Sequence, residues 1–200
     1  MSDSETDSPS IKALIVFREN GETDNLFVPI LCDAIRMAGI DVRCSKKDFW
    51  ESDTTYDIIH FQWPEEVVGR MCDDPGIVRR LKERIAFFRS RGAHFVYTRH
   101  NIRPHYANEV ISRAYDIIES ESDIVVHMGH YSLTEFIEKH PGSRNVVIPH
   151  HIYQYTYKED ISIERARQYL NLPQEAFIVT AFGKFRNREE IRMVASAFCK

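Results

Sequence analysis

The chain has 200 residues, of which 43% are hydrophobic and 28% charged; that balance is typical of a folded chain with a substantial core and argues against disorder. A formal net charge of -4 gives no basis for a partner held by phosphate neutralisation, so no nucleic acid is expected. Cys32, Cys44, Cys72 and Cys199 form no CxxC pair and no metal-ligand spacing, which reads most simply as a reduced, cytoplasmic protein without a metal site; no cofactor is expected.

Residues 1–10, MSDSETDSPS, lack the basic and apolar regions of a signal peptide and read as a disordered acidic tail. The run IKALIVF (11–17) is apolar without polar alternation, as in a strand covered on both faces. A helix follows in NLFVPILCDAIRMAGI, with Leu26, Ile30, Ala34 and Met37 near helical spacing and Gly39 as its cap. DVRCS and YDIIHFQW (56–63) read as the second and third strands, in direct succession. From an N-cap at Asp74 and Pro75 at the first helical position, a helix runs to Gly92 with Ile77, Leu81, Ile85 and Phe88 on one face. AHFVYTRH, SDIVVHM and NVVIPH (145–150) are further strands, separated by helices in ANEVISRAYDIIESES and YSLTEFIEKHPG. After a short helix in IERARQYL, a strand at 176–182 and a helix near Glu189 restart the rhythm.

Strands alternating with helices predict an α/β fold, a Rossmann-like parallel sheet with helices on both faces. Division is expected into a Rossmann-like domain at 11–172 and, at 173–200, the first βα unit of a second domain, since a lone βα unit cannot bury its own apolar faces. Parallel sheets bind ligands beyond the carboxyl ends of their strands. The polar clusters RENGETD, HFQWPEE, RHNIRPH, HMGHYS and PHHIYQY follow predicted strands and therefore belong to that rim.

YDIIHFQWPEE, VYTRHNIRPH, SDIVVHMGHYS, NVVIPHHIY and AFGKFRNREEIRMVASAF, in this order, resemble the motifs of two-Rossmann-domain (GT-B) glycosyltransferases of the broad retaining family four group. The resemblance covers most of residues 11–200. It implies an acceptor-side domain here, a nucleotide-sugar donor held by a second domain, and transfer to a carbohydrate or lipid-linked acceptor in cell-surface polysaccharide synthesis, without an obligatory metal. By resemblance, His100 is the cleft histidine of the reaction centre, and Asn20, Gly21, Trp63, Asn101, Arg103 and His130 are acceptor contacts. Gly183, Lys184, Arg186 and Arg188 match the loop that faces the donor diphosphate. Fixed cations there would stabilise the charge that a departing diphosphate gains. The sequence departs from the family with Glu189, Glu190 and His151 where lysine, glycine and glycine are common. It also ends before the paired-glutamate motif, so residues 1–200 alone are expected not to catalyse transfer.

Each assignment has a plainer counterpart. Trp63 is either a packing anchor or a platform for a sugar ring. His60 reads as a core histidine, and His127, His130 and His151 as structural or solvent-facing groups. Arg79, Arg80, Lys82 and Arg84 form the solvated face of a helix or a patch for the inner, anionic face of a membrane. No GxGxxG or GxSxG occurs, which counts against dinucleotide-dependent and serine-hydrolase chemistry. A non-catalytic flavodoxin-like module that grips a small anion or a partner protein is the alternative.

Overall fold

The structure, a computed structural model, describes residues 11–19, 25–104, 108–153, 161–181, 185 and 187–197. It comprises two compact units, Met1–Ile152 and Tyr153–Lys200. The first unit carries strands β1 (Lys12–Val16), β2 (Asp41–Cys44), β3 (Ile58–Phe61), β4 (His94–Arg99), β5 (Ile124–His127) and β6 (Asn145–Val147). Its helices are α1 (Phe27–Met37), α2 (Lys46–Glu51), α3 (Pro64–Val68), α4 (Gly76–Arg89), α5 (Glu109–Glu121) and α6 (His130–Lys139). The second unit carries α7 (Ile163–Tyr169) and α8 (Arg188–Ala197).

The architecture is α/β, with a six-stranded sheet in the order β2-β1-β3-β4-β5-β6. Every ladder is parallel, with Val16 opposite Phe61, Phe61 opposite Tyr97 and Tyr97 opposite Val125. Four consecutive residues of β1, Ala13 to Val16, are buried, as the unalternating run predicts for a strand covered on both faces. On one face Leu14, Val16, Phe61, Phe95 and Tyr97 pack with helices α2 to α6. On the other, Ala13, Ile15, Phe17 and Val42 pack with Phe27, Val28 and Cys32 of α1.

Three local expectations change. In α1 the buried residues are Phe27, Val28 and Cys32, whereas Ala34 is exposed and Met37 is 89% exposed. The segment carries two apolar stripes on different sides of the helix, and contact with β1 and β2 selects the one through Val28 and Cys32. Secondly, β2 and β3 are not consecutive, because α2 lies between them. Ser45 caps α2 by accepting the Asp48 N–H at 3.0 Å. A six-residue helix is too short to show a period of 3.6. Thirdly, residues 176–181 contain no strand, in keeping with the need of a strand for a neighbouring ladder.

The helix stops follow the sequence. Gly39 and Gly92 take φ of +82° and +88° just past α1 and α4, a conformation that costs an L side chain strain and glycine little. The start of α4 differs by one residue from the expectation: Pro75 is the N-cap and the helix begins at Gly76, whose N–H Asp74 Oδ1 accepts at 2.8 Å.

Candidate functional site

The sheet order reverses about β1 and β3: β2 lies outside β1, while β4, β5 and β6 extend the other way. Loops leaving the carboxyl ends of such a neighbouring pair diverge and open a crevice, the usual ligand position of this sheet type. Phe17 and Arg18 leave β1 there, and Gln62 and Trp63 leave β3. His100 follows β4 directly.

Trp63 and His100 meet at that point, their rings stacked with centroids 3.7 Å apart and an interplanar angle of 14°. Phe27, from the first turn of α1, sets its ring across that of His100 at 4.7 Å and 84°. It also stacks on His151 at 4.4 Å and stands 5.0 Å from the ring of His150. Phe17 closes the far side, 5.4 Å from Trp63. Local structure makes Phe27 available: Asn25 Oδ1 accepts its N–H at 3.0 Å and starts α1 beside the crevice.

The electrostatics of this cluster are neutral. Burial, with His60 and His150 nearby, pushes the His100 pKa down to about 3. His60, whose Nε2 lies 2.8 Å from Thr98 Oγ1, is pushed down to about 4 by burial. Gln62 is completely buried, and its Oε1 lies 2.8 Å from His100 Nε2. No carboxylate is hydrogen-bonded to His100 among the described residues, so a Ser-His-Asp type relay is not built around it. The cluster can stack C–H or aromatic surface and can orient one hydroxyl or amide.

Beside the rings lies an ionic knot. Arg18 donates from Nε and a terminal nitrogen to the two oxygens of Glu66 at 2.9 and 2.8 Å, and Arg70 donates to the same carboxylate. Burial alone would raise the Glu66 pKa, but hydrogen bonds from both arginines outweigh it and hold the carboxyl below its usual range. Next to it Glu65 is buried and accepts the Tyr115 hydroxyl at 2.6 Å, tying α3 to α5.

Of the residues expected to form the site, Trp63 and His100 are brought together. Asn101 and Arg103 follow on the same loop, half-buried and exposed respectively. His130 is exposed at the start of α6, beyond β5. Arg188 begins α8 in the second unit and is exposed. Asn20, Gly21, Gly183, Lys184 and Arg186 lie outside the described residues. His127 is fully buried, with Ser132 Oγ and Asn145 Oδ1 each 2.9 Å from one of its nitrogens, so both are used structurally.

On α4, Arg84 donates to the Phe49 and Ser52 carbonyl oxygens at 2.6 and 2.7 Å, Arg79 pairs with Glu83, and Arg80 lies over Trp50. Among the described residues no helix is long and apolar enough to cross a membrane. No group of three or more His, Cys, Asp or Glu among them is placed to hold a metal ion.

Sequence reasoning missed Phe27 and Gln62. Phe27 sits off the apolar stripe chosen for α1, and only the fold carries it to the crevice. Gln62 left a signal in the polar group that ends the apolar run IIHF. Two cavities lie elsewhere, about 410 Å³ by Glu19, Arg36, Val42, Arg43 and Cys44 and about 280 Å³ by Asp73, Val78, Asn108 and Arg113. The first is an open groove whose arginines already serve Asp33, Val42 and Asp48, so the ring cluster is the stronger candidate. No protein-family model matches this sequence, and no curated protein matches it either.

Proposed function

We propose that the chain is the acceptor-side part of a retaining glycosyltransferase, which moves a sugar from a nucleotide-sugar to a carbohydrate or lipid-linked acceptor in cell-surface polysaccharide synthesis. The observation that carries the reading is the uncharged ring cluster of Phe27, Trp63 and His100 at the reversal point of a parallel sheet. Sugars present apolar C–H faces ringed by hydroxyls, and such a cluster meets the first while a neutral imidazole orients the second. A cationic imidazole would lose its solvation among these rings, so the neutral form is favoured and suits a neutral ligand.

In this reading His100 is the catalytic residue that touches the reacting sugar, with Asn101, Arg103 and His130 along the acceptor. Lys184, Arg186 and Arg188 would neutralise the departing diphosphate. Arg79, Arg80 and Lys82 are the part of α4 that would meet anionic lipid. The five motifs found in family order support the assignment.

The second reading, a non-catalytic binding module, is favoured by the strand order, since β2-β1-β3-β4-β5 is also the order of small flavodoxin-like proteins. Isothermal titration of the chain with neutral saccharides and with nucleoside diphosphates separates the two. Saccharide binding that falls at least tenfold in His100→Ala, with the variant still folded by circular dichroism, is the result expected for an acceptor site. Binding of a small anion without any saccharide response would support the binding module instead.

A further inference from the structure

His100 has a single hydrogen-bonding partner among the described residues, Gln62 Oε1, 2.8 Å from its Nε2. With Gln62 Oε1 as the facing atom, which only accepts, the imidazole proton lies on Nε2 and Nδ1 keeps a lone pair; the Gln62 amide nitrogen is buried without a partner among the described residues, so it is the contact with His100 that sets the amide's orientation. Gln62 is completely buried just past the end of β3, so its amide stays against the ring. The imidazole is fixed as firmly, with Trp63 stacked on it and Phe27 across it. Nδ1 has no hydrogen bond among the described residues.

We propose that Gln62 is a positioning residue that locks His100 in its Nε2–H tautomer, so that Nδ1 offers a fixed hydrogen-bond acceptor to a neutral hydroxyl donor of the ligand. At that atom a phosphate or carboxylate oxygen would face a lone pair and be rejected, whereas a polyol hydroxyl donates to it. The titratable neighbours reinforce the neutral state: His60 on β3 and His150 after β6 both disfavour a proton on His100, and burial holds its pKa down to about 3. Phe27 from α1 and Trp63 from the loop after β3 bring no charge. Naming the donor as a sugar hydroxyl rests on the glycosyltransferase reading, but the tautomer does not.

The test reads the tautomer in the free protein. Long-range proton–nitrogen NMR of histidine-labelled wild type, Gln62→Leu and Gln62→Glu is recorded from about pH 5 to 8, with His100→Gln to assign the signal. Wild type should show the proton on Nε2 and no titration over that window. Gln62→Leu, which keeps the shape without the acceptor, should release the ring into a mixture of tautomers. Gln62→Glu should keep Nε2–H while moving the His100 titration upward by about 1–3 pH units, as a facing carboxylate does. A proton on Nδ1 in wild type, or an unchanged tautomer in a folded Gln62→Leu, overturns the proposal. The wild-type spectrum decides even if neither variant folds. A locked Nε2–H tautomer with no saccharide binding would sink the carbohydrate reading while leaving the positioning role of Gln62 intact.

Discussion

Arg99 and His100 are adjacent in sequence and opposite in role. The alternation of a strand sends Arg99 toward α5 and α6, where it is 2% exposed and paired with Glu119 at 3.2 Å and Glu135 at 2.6 Å. It also donates to the carbonyl oxygens of Ser132 and Ile102, and so braces the loop that carries Asn101. His100 turns instead toward α1 and the crevice. Charge in the string RHNIRPH was legible from the sequence, but its division into brace and site was not, because a one-residue step across a strand end decides it. Replacing Arg99 by alanine should cost about 1.5–3 kcal/mol, since it removes charged hydrogen bonds from the half-buried Glu119 and Glu135, which keep only His140 and Lys139 among the described residues. Urea denaturation measures this directly, and a loss under about 1 kcal/mol would show that the pairs contribute little.

At the scale of elements, α1 shows where periodicity stops being informative. Its sequence supports a stripe through Ile30 and Met37 as well as one through Val28 and Cys32, and only the second meets β1 and β2. Val28→Ala should therefore destabilise by about 2 kcal/mol through the lost buried methyls. Met37→Ala should stay within about 0.5 kcal/mol, as exposed positions do. Similar midpoints for both variants would contradict the observed packing face. The long elements α4 and α5 carry sustained apolar spacing, α5 with Asn108 as its cap, and the sequence placed both to within a few residues. The short α2 and α3 leave no such pattern. Their signals are a serine cap and a proline at the first position, which only acquire meaning once the flanking strands are known.

For the whole molecule, the buried histidines set the response to acid. His60 and His100 titrate in the fold at about 4 and 3, below the ordinary value of 6.5, and burial lowers His127 as well. Between those values and about pH 6.5 the unfolded chain binds protons that the folded chain refuses. Stability must then fall as pH falls, by up to about 1.4 kcal/mol per pH unit for each such histidine. Glu66, Asp123 and Glu135, held below the usual carboxylate range against the effect of their own burial, lose stability in the same direction at lower pH. Urea midpoints should decline already between about pH 7 and 5.5, ahead of ordinary carboxylate titration, and His60→Gln should flatten that decline. A wild-type midpoint constant down to about pH 5 would mean that the histidines accept protons within the fold. The sequence by itself determined the alternation of strands and helices, the parallel sheet and the rim on which His100 and Trp63 lie, because those depend on local periodicity, caps and the length of apolar runs. Only the tertiary structure decided that β1 sits between β2 and β3, that Phe27 crosses the His100 ring and that Gln62 meets its Nε2. Those contacts join residues 35 to 75 positions apart in the chain or depend on which strand lies beside which, and no local pattern encodes a neighbour in space.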